Sequence, residues 1–217
     1  MKYLEYKTVM GQDSVELEIK KSTFIGHIKE CKTEEDALDF IEEINKANRQ
    51  ATHNCYAYII GDKKLTQRYS DDGEPQGTAG IPMLEVLKKE DLTNLCVVVT
   101  RYFGGVKLGA SGLIRAYSKA TSSAIEKISI VEMLNFKKIS LEFDYSLLGK
   151  IENHIMVNAY AEIDRQYTDK VSIILYISDS AYDGFKEDLI QMTSANINIE
   201  VMDELLLPIK NNKIIGV

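Results

Sequence analysis

The amino-acid sequence predicts an α+β protein of two domains, residues 1–134 and 135–217. Its 217 residues, 45% of them hydrophobic, are enough for one large or two small cores. Hydrophobic patterns typical of strands and of helices alternate along the whole chain, and after residue 134 they follow a regular order. The two parts also differ in charge, since residues 1–134 hold 18 Lys and Arg against 20 Asp and Glu, and residues 135–217 hold 8 against 13.

The elements of the N-terminal part follow from these patterns. Apolar residues alternate with polar ones from Val15 to Ile19, which predicts a strand with residues 24–31 as its hairpin partner. Thr33 as N-cap, with Asp36 three residues later, predicts the start of a helix. Further patterns predict strands over 55–60 and 65–70, a short helix over 81–88, a central strand over 95–100 that is buried on both faces, and a long helix that Ser111 caps and that ends near Lys127.

The C-terminal part has a simpler order. The sequence predicts strand, helix, strand, strand, helix and strand over 138–144, 147–159, 162–168, 170–177, 182–192 and 198–207. This βαββαβ order is typical of the ferredoxin-like fold. Pro208 should end the last strand, and the tail from Lys210 to Val217 has no predicted partner.

Composition excludes several classes of protein. Because the sequence has no run of about 18 apolar residues and no signal-peptide pattern at its start, we expect a cytoplasmic protein with no membrane partner. Three widely spaced cysteines predict free, buried thiols rather than disulfides or a zinc site. The net charge of -7 argues against a protein that coats nucleic acid through its overall field, so an anion-binding surface would have to be local.

Two glycine-rich segments stand out, residues 70–80 and 101–112, which together hold seven of the 13 glycines. Such a density of glycine indicates loops whose backbone takes special conformations or lets another group approach closely. The first loop contains three acidic residues and no base, and the second contains two bases and no acid. If the fold brings them together, they form a paired acidic and basic site.

The second loop lies between a predicted strand and a predicted helix, and this arrangement favours anion binding. The first amides of a helix are unpaired and its dipole is positive there. The spacing matches neither a phosphate-binding P-loop nor a dinucleotide fingerprint. The candidate residues for phosphate or nucleic acid are Arg101, Gly104, Gly105, Lys107, Gly109, Ser111, Arg115 and Lys119. Alternatively, the glycines only pack helix against sheet, and Arg101 pairs with Asp71 or Asp72.

Several other residues have two interpretations each. Asp71, Asp72 and Glu74 either hold a divalent cation or form a turn that binds its own backbone; we predict no metal. His53 and Cys55 share one face of a strand and could act as base and nucleophile, although no third orienting residue is evident. Tyr102 and Phe103 either stack on bases or anchor the core. Arg49, His53 and Arg68 are further candidates for the anion site.

At these residues the sequence closely resembles the IMPACT family of translation-linked proteins. The matching stretches are residues 21–25, 51–58, 70–80 and 101–117. The resemblance implies an N-terminal βα fold shared with the second domain of a ribosomal small-subunit protein, with domain IV of elongation factor G and with small-molecule kinases. It also implies that the C-terminal ferredoxin-like domain is similar to those of elongation factor G.

These observations lead to one functional prediction and two alternatives. We expect a translation regulator that binds RNA or the ribosome, without a cofactor and without chemistry of its own. One alternative is an enzyme that acts on a phosphorylated small molecule or nucleotide in the same cleft. The other is an adaptor whose acidic C-terminal domain binds a basic protein partner.

Overall fold

The computed structural model describes residues 3–216, which form two compact units of mixed α and β structure. One unit is Tyr6–Glu132, and the other joins residues 3–5 to residues 133–216. The sequence predicts an N-terminal domain of residues 1–134, whereas residues 3–5 lie in the other unit, where Asn135 binds Tyr3. Its amide side chain accepts from the Tyr3 backbone N–H at 2.9 Å and donates to the Tyr3 carbonyl at 2.9 Å.

The unit of residues 6–132 is built on a five-stranded antiparallel sheet in the order β2-β3-β6-β4-β5. Its central strand β6 is buried from Leu95 to Arg101, because helices cover both faces of the sheet. The predicted doubly buried central strand is therefore correct. The strands of this sheet are β2 Gln12–Ile19, β3 Ser22–Glu30, β4 His53–Ile60, β5 Thr66–Ser70 and β6 Leu95–Tyr102. Strand β1, Tyr6–Val9, pairs instead with β7 of residues 130–143.

Three helices complete this unit. Helix α1 (Glu34–Ala47) begins with the predicted capping box, in which Thr33 and Asp36 exchange side-chain and backbone hydrogen bonds. It covers one face of the sheet, whereas α2 (Gly80–Lys89) and α3 (Ala110–Lys127) cover the other. The prediction that Ser111 caps α3 is wrong. The helix already begins at Ala110, after Gly109, and no side chain caps it.

The other unit has the βαββαβ order that the sequence predicts. Its strands stand in the order β10-β7-β9-β8, which is the ferredoxin-like arrangement. The tail is an exception, because Lys213–Ile214 forms strand β11 and pairs with the end of β10. The elements are β7 Ile130–Phe143, a 3₁₀ turn Tyr145–Leu147, α4 Leu148–Val157, β8 Ala161–Tyr167, β9 Val171–Ser178, α5 Tyr182–Thr193 and β10 Asn198–Lys210.

Among residues 3–216, no helix combines the length and the apolar character that crossing a membrane requires.

Candidate functional site

One end of the N-terminal sheet brings the two glycine-rich loops together. Strand β6 ends there at Tyr102. Arg101 pairs with His53 at the start of β4, and the β2–β3 turn lies at the same end because Thr23 pairs with Tyr102. The first loop leaves β5 after Ser70 at this end, and α3 begins here after the second loop. The antiparallel register therefore collects five chain segments at one end of the sheet.

A buried ion pair joins the loops. Arg101 Nη1 donates to Glu74 Oε1 at 2.5 Å, and the two side chains are 6% and 3% exposed. The Tyr117 hydroxyl donates to the same carboxylate oxygen at 2.8 Å. Burial raises the pKa of Tyr117, so the phenol keeps its proton for this bond. The partner of Arg101 is thus Glu74, and not Asp71 or Asp72 as the packing alternative supposed.

The other two acids of the first loop bind backbone amides. The Asp71 carboxylate accepts from the amides of Gly77, Ala79 and Gly80 at 2.8 to 3.0 Å, so it holds the start of α2. Asp72 Oδ2 accepts from the Asn54 amide at 2.6 Å. In the described part of the chain, no cluster of three or more His, Cys, Asp or Glu side chains has an arrangement that could hold a metal ion.

His53 and Cys55 are both tied to the backbone of the first loop. His53 Nδ1 lies 2.6 Å from the Asp72 carbonyl oxygen and therefore carries the donated proton, while Nε2 lies 3.8 Å from Glu74 Oε2. The Cys55 thiol donates to the Asp71 carbonyl at 3.0 Å. Burial raises the pKa of Cys55 to about 12, which keeps the thiol protonated and disfavours a role as nucleophile.

The glycines of the second loop have different functions. A Cβ on Gly104 would lie 1.7 Å from the Lys21 carbonyl oxygen, so this glycine lets the loop pack against the β2–β3 turn. Gly105 and Gly109 have φ values of +82° and +71° and open space where a side chain would be. These two glycines therefore have room for another group to approach the loop backbone.

A cleft of about 320 Å³ lies between the loops. Its walls are largely apolar, with Phe103 and Leu108 on the side of the second loop and Pro75 on the side of the first. Arg101, Glu74, His53 and Lys107 contribute the charged and ionisable groups. The remaining wall is formed by Thr52, Gly109, Ala110 and Leu113, so the first turn of α3 borders the cleft.

The remaining predicted bases fall into two groups. Lys107, Arg115 and Lys119 are exposed on the second loop and on α3, whereas Arg101 is buried. Arg68 lies on the opposite face of the sheet, 3.8 Å from Glu34 of α1, and so does not join the site. Arg49 is exposed but does not line the cleft, and Tyr102 donates its hydroxyl to Asn48 at 2.9 Å.

Two basic residues at this end of the sheet were not among the candidates predicted from the sequence. Lys20 and Lys21 form the turn between β2 and β3 and are exposed. Both have positive φ, 47° and 67°, a conformation that such turns normally give to Asn and Gly. The signal was present as a Lys-Lys pair between two strands, but only the strand register places it next to the second loop. We call Lys20, Lys21, Lys107, Arg115 and Lys119 the basic surface.

The structure thus defines a two-domain α+β protein with a basic surface and a small cleft at one end of its N-terminal sheet. Comparison with known proteins agrees with this division, because the model of the Impact N-terminal domain matches residues 20–125 and that of a domain of unknown function (DUF1949) matches residues 141–196. The chain belongs to the IMPACT family, as the identity to its relatives shows.

The relatives include bacterial and eukaryotic proteins. The chain is 43% identical to IMPACT family member YvyE of Bacillus subtilis, over 90% of each chain, and 32% identical to an IMPACT family member of Haemophilus influenzae, over 92% of this chain and 98% of the relative. It is 30% identical to the IMPACT homolog of Dictyostelium discoideum over 58% of this chain and 36% of that protein. A crystal structure of a hypothetical protein, 27% identical, aligns with a TM-score of 0.58 over 94% and 98% of the two chains.

Proposed function

We propose that this protein is a translation-associated regulator that binds RNA or the ribosome through the basic surface. The observation that carries the proposal is the distribution of charge at this end of the sheet. Glu74 is neutralised by Arg101, and Asp71 is enclosed by three backbone amides. The exposed acid that remains in the first loop is Asp72, and the five bases of the basic surface outnumber it, although the whole chain carries -7.

The arrangement suits a phosphate backbone better than a protein carboxylate cluster. Arg115 and Lys119 are four residues apart and share one side of α3, while Lys107 lies on the loop before the helix. Lys20 and Lys21 extend the surface across the turn of the neighbouring strands. Basic residues spread over several elements can follow a nucleic-acid strand, and the uncapped amides at the start of α3 add donors for phosphate.

Sedimentation with purified ribosomes over a salt series tests the proposal. Each phosphate contact should contribute about 0.7 to 0.9 to the slope of log K against log salt. The triple variant Lys107→Ala, Arg115→Ala, Lys119→Ala should therefore bind more weakly and lose about 2 to 3 from the slope. Arg101 stays in place in this variant, because its removal would break the buried ion pair and confuse binding with folding.

The matched control removes the same charge elsewhere in the same unit. Lys63, Lys88 and Lys89 are exposed and lie at the opposite end of the sheet, beside the β4–β5 turn and the end of α2. Their triple Ala variant should bind ribosomes like the wild type. Equal losses in both variants would mean that net charge alone attracts the protein, and no binding by the wild type at low salt would refute the proposal.

A further inference from the structure

The cleft beside the basic surface has features that phosphate binding alone does not explain. Its volume of about 320 Å³ is at the lower end of the range for small-molecule sites, about 300 to 1,000 Å³. Its walls are largely apolar, whereas a site for phosphate alone would be lined by donors. A group with a flat apolar part would fill it better.

Phe103 supplies a flat, accessible surface at this cleft. The residue is 48% exposed, although phenylalanine is usually buried in the core. The Arg101 guanidinium lies 5.5 Å from the centre of this ring and 5.4 Å from the centre of the Phe24 ring. Phe103 is therefore supported by Arg101 while it remains half-exposed at the cleft, and nucleobases stack on exposed aromatic rings of this kind.

The inner wall offers unsatisfied polar groups. Arg101 is 6% exposed at its side chain, and its Nε has no hydrogen-bond partner in the described chain. Glu74 accepts both of its hydrogen bonds at Oε1, and Oε2, which lies 3.8 Å from His53 Nε2, can accept from a ligand. A buried guanidinium with an unpaired N–H and a neighbouring carboxylate oxygen present donor and acceptor side by side. The Watson–Crick edge of each nucleobase has the complementary acceptor and donor.

The outer wall offers a place for a phosphate. The first amides of α3 border the cleft at Ala110, no side chain caps them, and Lys107 lies beside them. A nucleotide with its base on Phe103 and its phosphate at this helix end would use every wall of the cleft.

We propose that the cleft binds a single unpaired nucleotide, with its base on Phe103 facing Arg101 and Glu74 and its phosphate at the start of α3. The inference rests on the proposed function, since an unpaired nucleotide of bound RNA is the natural occupant. A free mononucleotide has the same chemistry, so the experiment includes both.

The chain contains no tryptophan, which permits a direct test. In the full-length Phe103→Trp variant the only tryptophan lies at the cleft, and a base stacked on it should quench its fluorescence. The four 5′-mononucleotides, ribose 5-phosphate and inorganic phosphate are titrated separately. We expect saturable quenching by at least one mononucleotide and none by ribose 5-phosphate or phosphate. Absence of quenching, or the same quenching by phosphate alone, would overturn the inference.

The control is Tyr145→Trp. Tyr145 is 49% exposed, almost the same as Phe103, and lies in the other unit. Because unspecific stacking would quench both variants equally, equal quenching also overturns the inference. Titration with a short unstructured RNA distinguishes the two sources of the ligand. If the RNA binds at least tenfold more tightly than the mononucleotide, the cleft is assigned to RNA. If the two bind equally well, it is assigned to a free nucleotide. Both results support a nucleotide site.

A second measurement uses Phe103→Ala and does not depend on fluorescence. Loss of one stacked base should weaken RNA binding about 5- to 150-fold at every salt concentration. The slope of log K against log salt should stay unchanged, because no charge is removed. Unchanged affinity of this variant overturns the inference but leaves ribosome binding through the basic surface intact. Conversely, saturable mononucleotide quenching in a protein that binds neither RNA nor ribosomes would support the nucleotide site and refute the proposed function.

Discussion

Removal of the Glu74 carboxylate should destabilise the N-terminal unit more than any surface charge change. In Glu74→Ala the Arg101 guanidinium stays buried, loses the carboxylate that it binds among residues 3–216 and then has both Nε and Nη1 unsatisfied. Tyr117 loses its acceptor as well. Breaking a buried ion pair by removing one partner costs about 3–5 kcal/mol. Because the two losses share one carboxylate, the total should stay within this range.

The surface pair of Glu42 and Lys46 provides the comparison. Their side chains lie 2.6 Å apart and are 63% and 61% exposed, so Glu42→Ala should cost less than about 1 kcal/mol. The double variant Glu74→Leu, Arg101→Met removes both buried charges and should be more stable than Glu74→Ala alone.

The assay must report the N-terminal unit alone, because two units need not unfold together. Hydrogen exchange of the β6 amides, Leu95–Tyr102, gives this local free energy of unfolding. The ion pair does not hold the loops together if Glu74→Ala lowers the free energy of unfolding no more than Glu42→Ala does. The same conclusion follows if the loss in the double variant equals the sum of the losses in Glu74→Leu and Arg101→Met measured singly.

Three further predictions concern other parts of the same unit. Replacing Lys20 and Lys21 by Asn and Gly should raise the free energy of unfolding by about 1 kcal/mol in urea titrations, since it relieves the backbone strain of two lysines with positive φ. Because two charges are removed, the same variant should lower the slope of log K against log salt for RNA binding by about 1.4 to 1.8. Burial lowers the pKa of His27 below its ordinary 6.5, so its contribution to stability is present above pH 6.5 and is lost as the pH falls through the folded pKa. His27→Gln should therefore flatten the acid side of the stability profile, measured by β6 hydrogen exchange. Because burial raises the pKa of Cys55 to about 12, iodoacetamide at pH 8 should alkylate it only in denaturant, and rapid labelling of the native protein by mass spectrometry would contradict the buried thiol.

Much of the fold could be predicted because its signals are local. The capping box at Thr33, the unbroken apolar run of β6 and the βαββαβ order of the C-terminal part each depend on residues close in sequence. The prediction that the tail has no partner was wrong because the hairpin signal of Asn211 and Asn212 was not recognised. These two residues have φ values of 51° and 60° and form the two-residue turn that pairs Lys213–Ile214 with β10. Ser111 was wrong as a cap because Gly109, with its positive φ, already turns the chain into the helix.

The candidate site was harder to predict because charge and glycine patterns do not say which partner each residue meets. Arg101 and Glu74 were both among the candidates, yet only the folded structure, which brings the first loop over the end of β6, shows that they neutralise each other in a buried pair. Arg68 was placed in the site because of its charge, but its position opposite Tyr58 puts it on the α1 face. Lys20 and Lys21 join the site through Gly104, whose contact with Lys21 spans more than eighty residues of sequence.

The position of β6 in the sheet has a consequence for biosynthesis. It lies between β3 and β4, both of which are translated before it. Until β6 leaves the ribosome, β3 and β4 each have an open edge, because the strand that both pair with in the finished sheet is still missing. Such long-range pairing slows folding and exposes the nascent chain to aggregation. We therefore expect the N-terminal unit to close late during its own synthesis, when the strand that carries Arg101 inserts between β3 and β4.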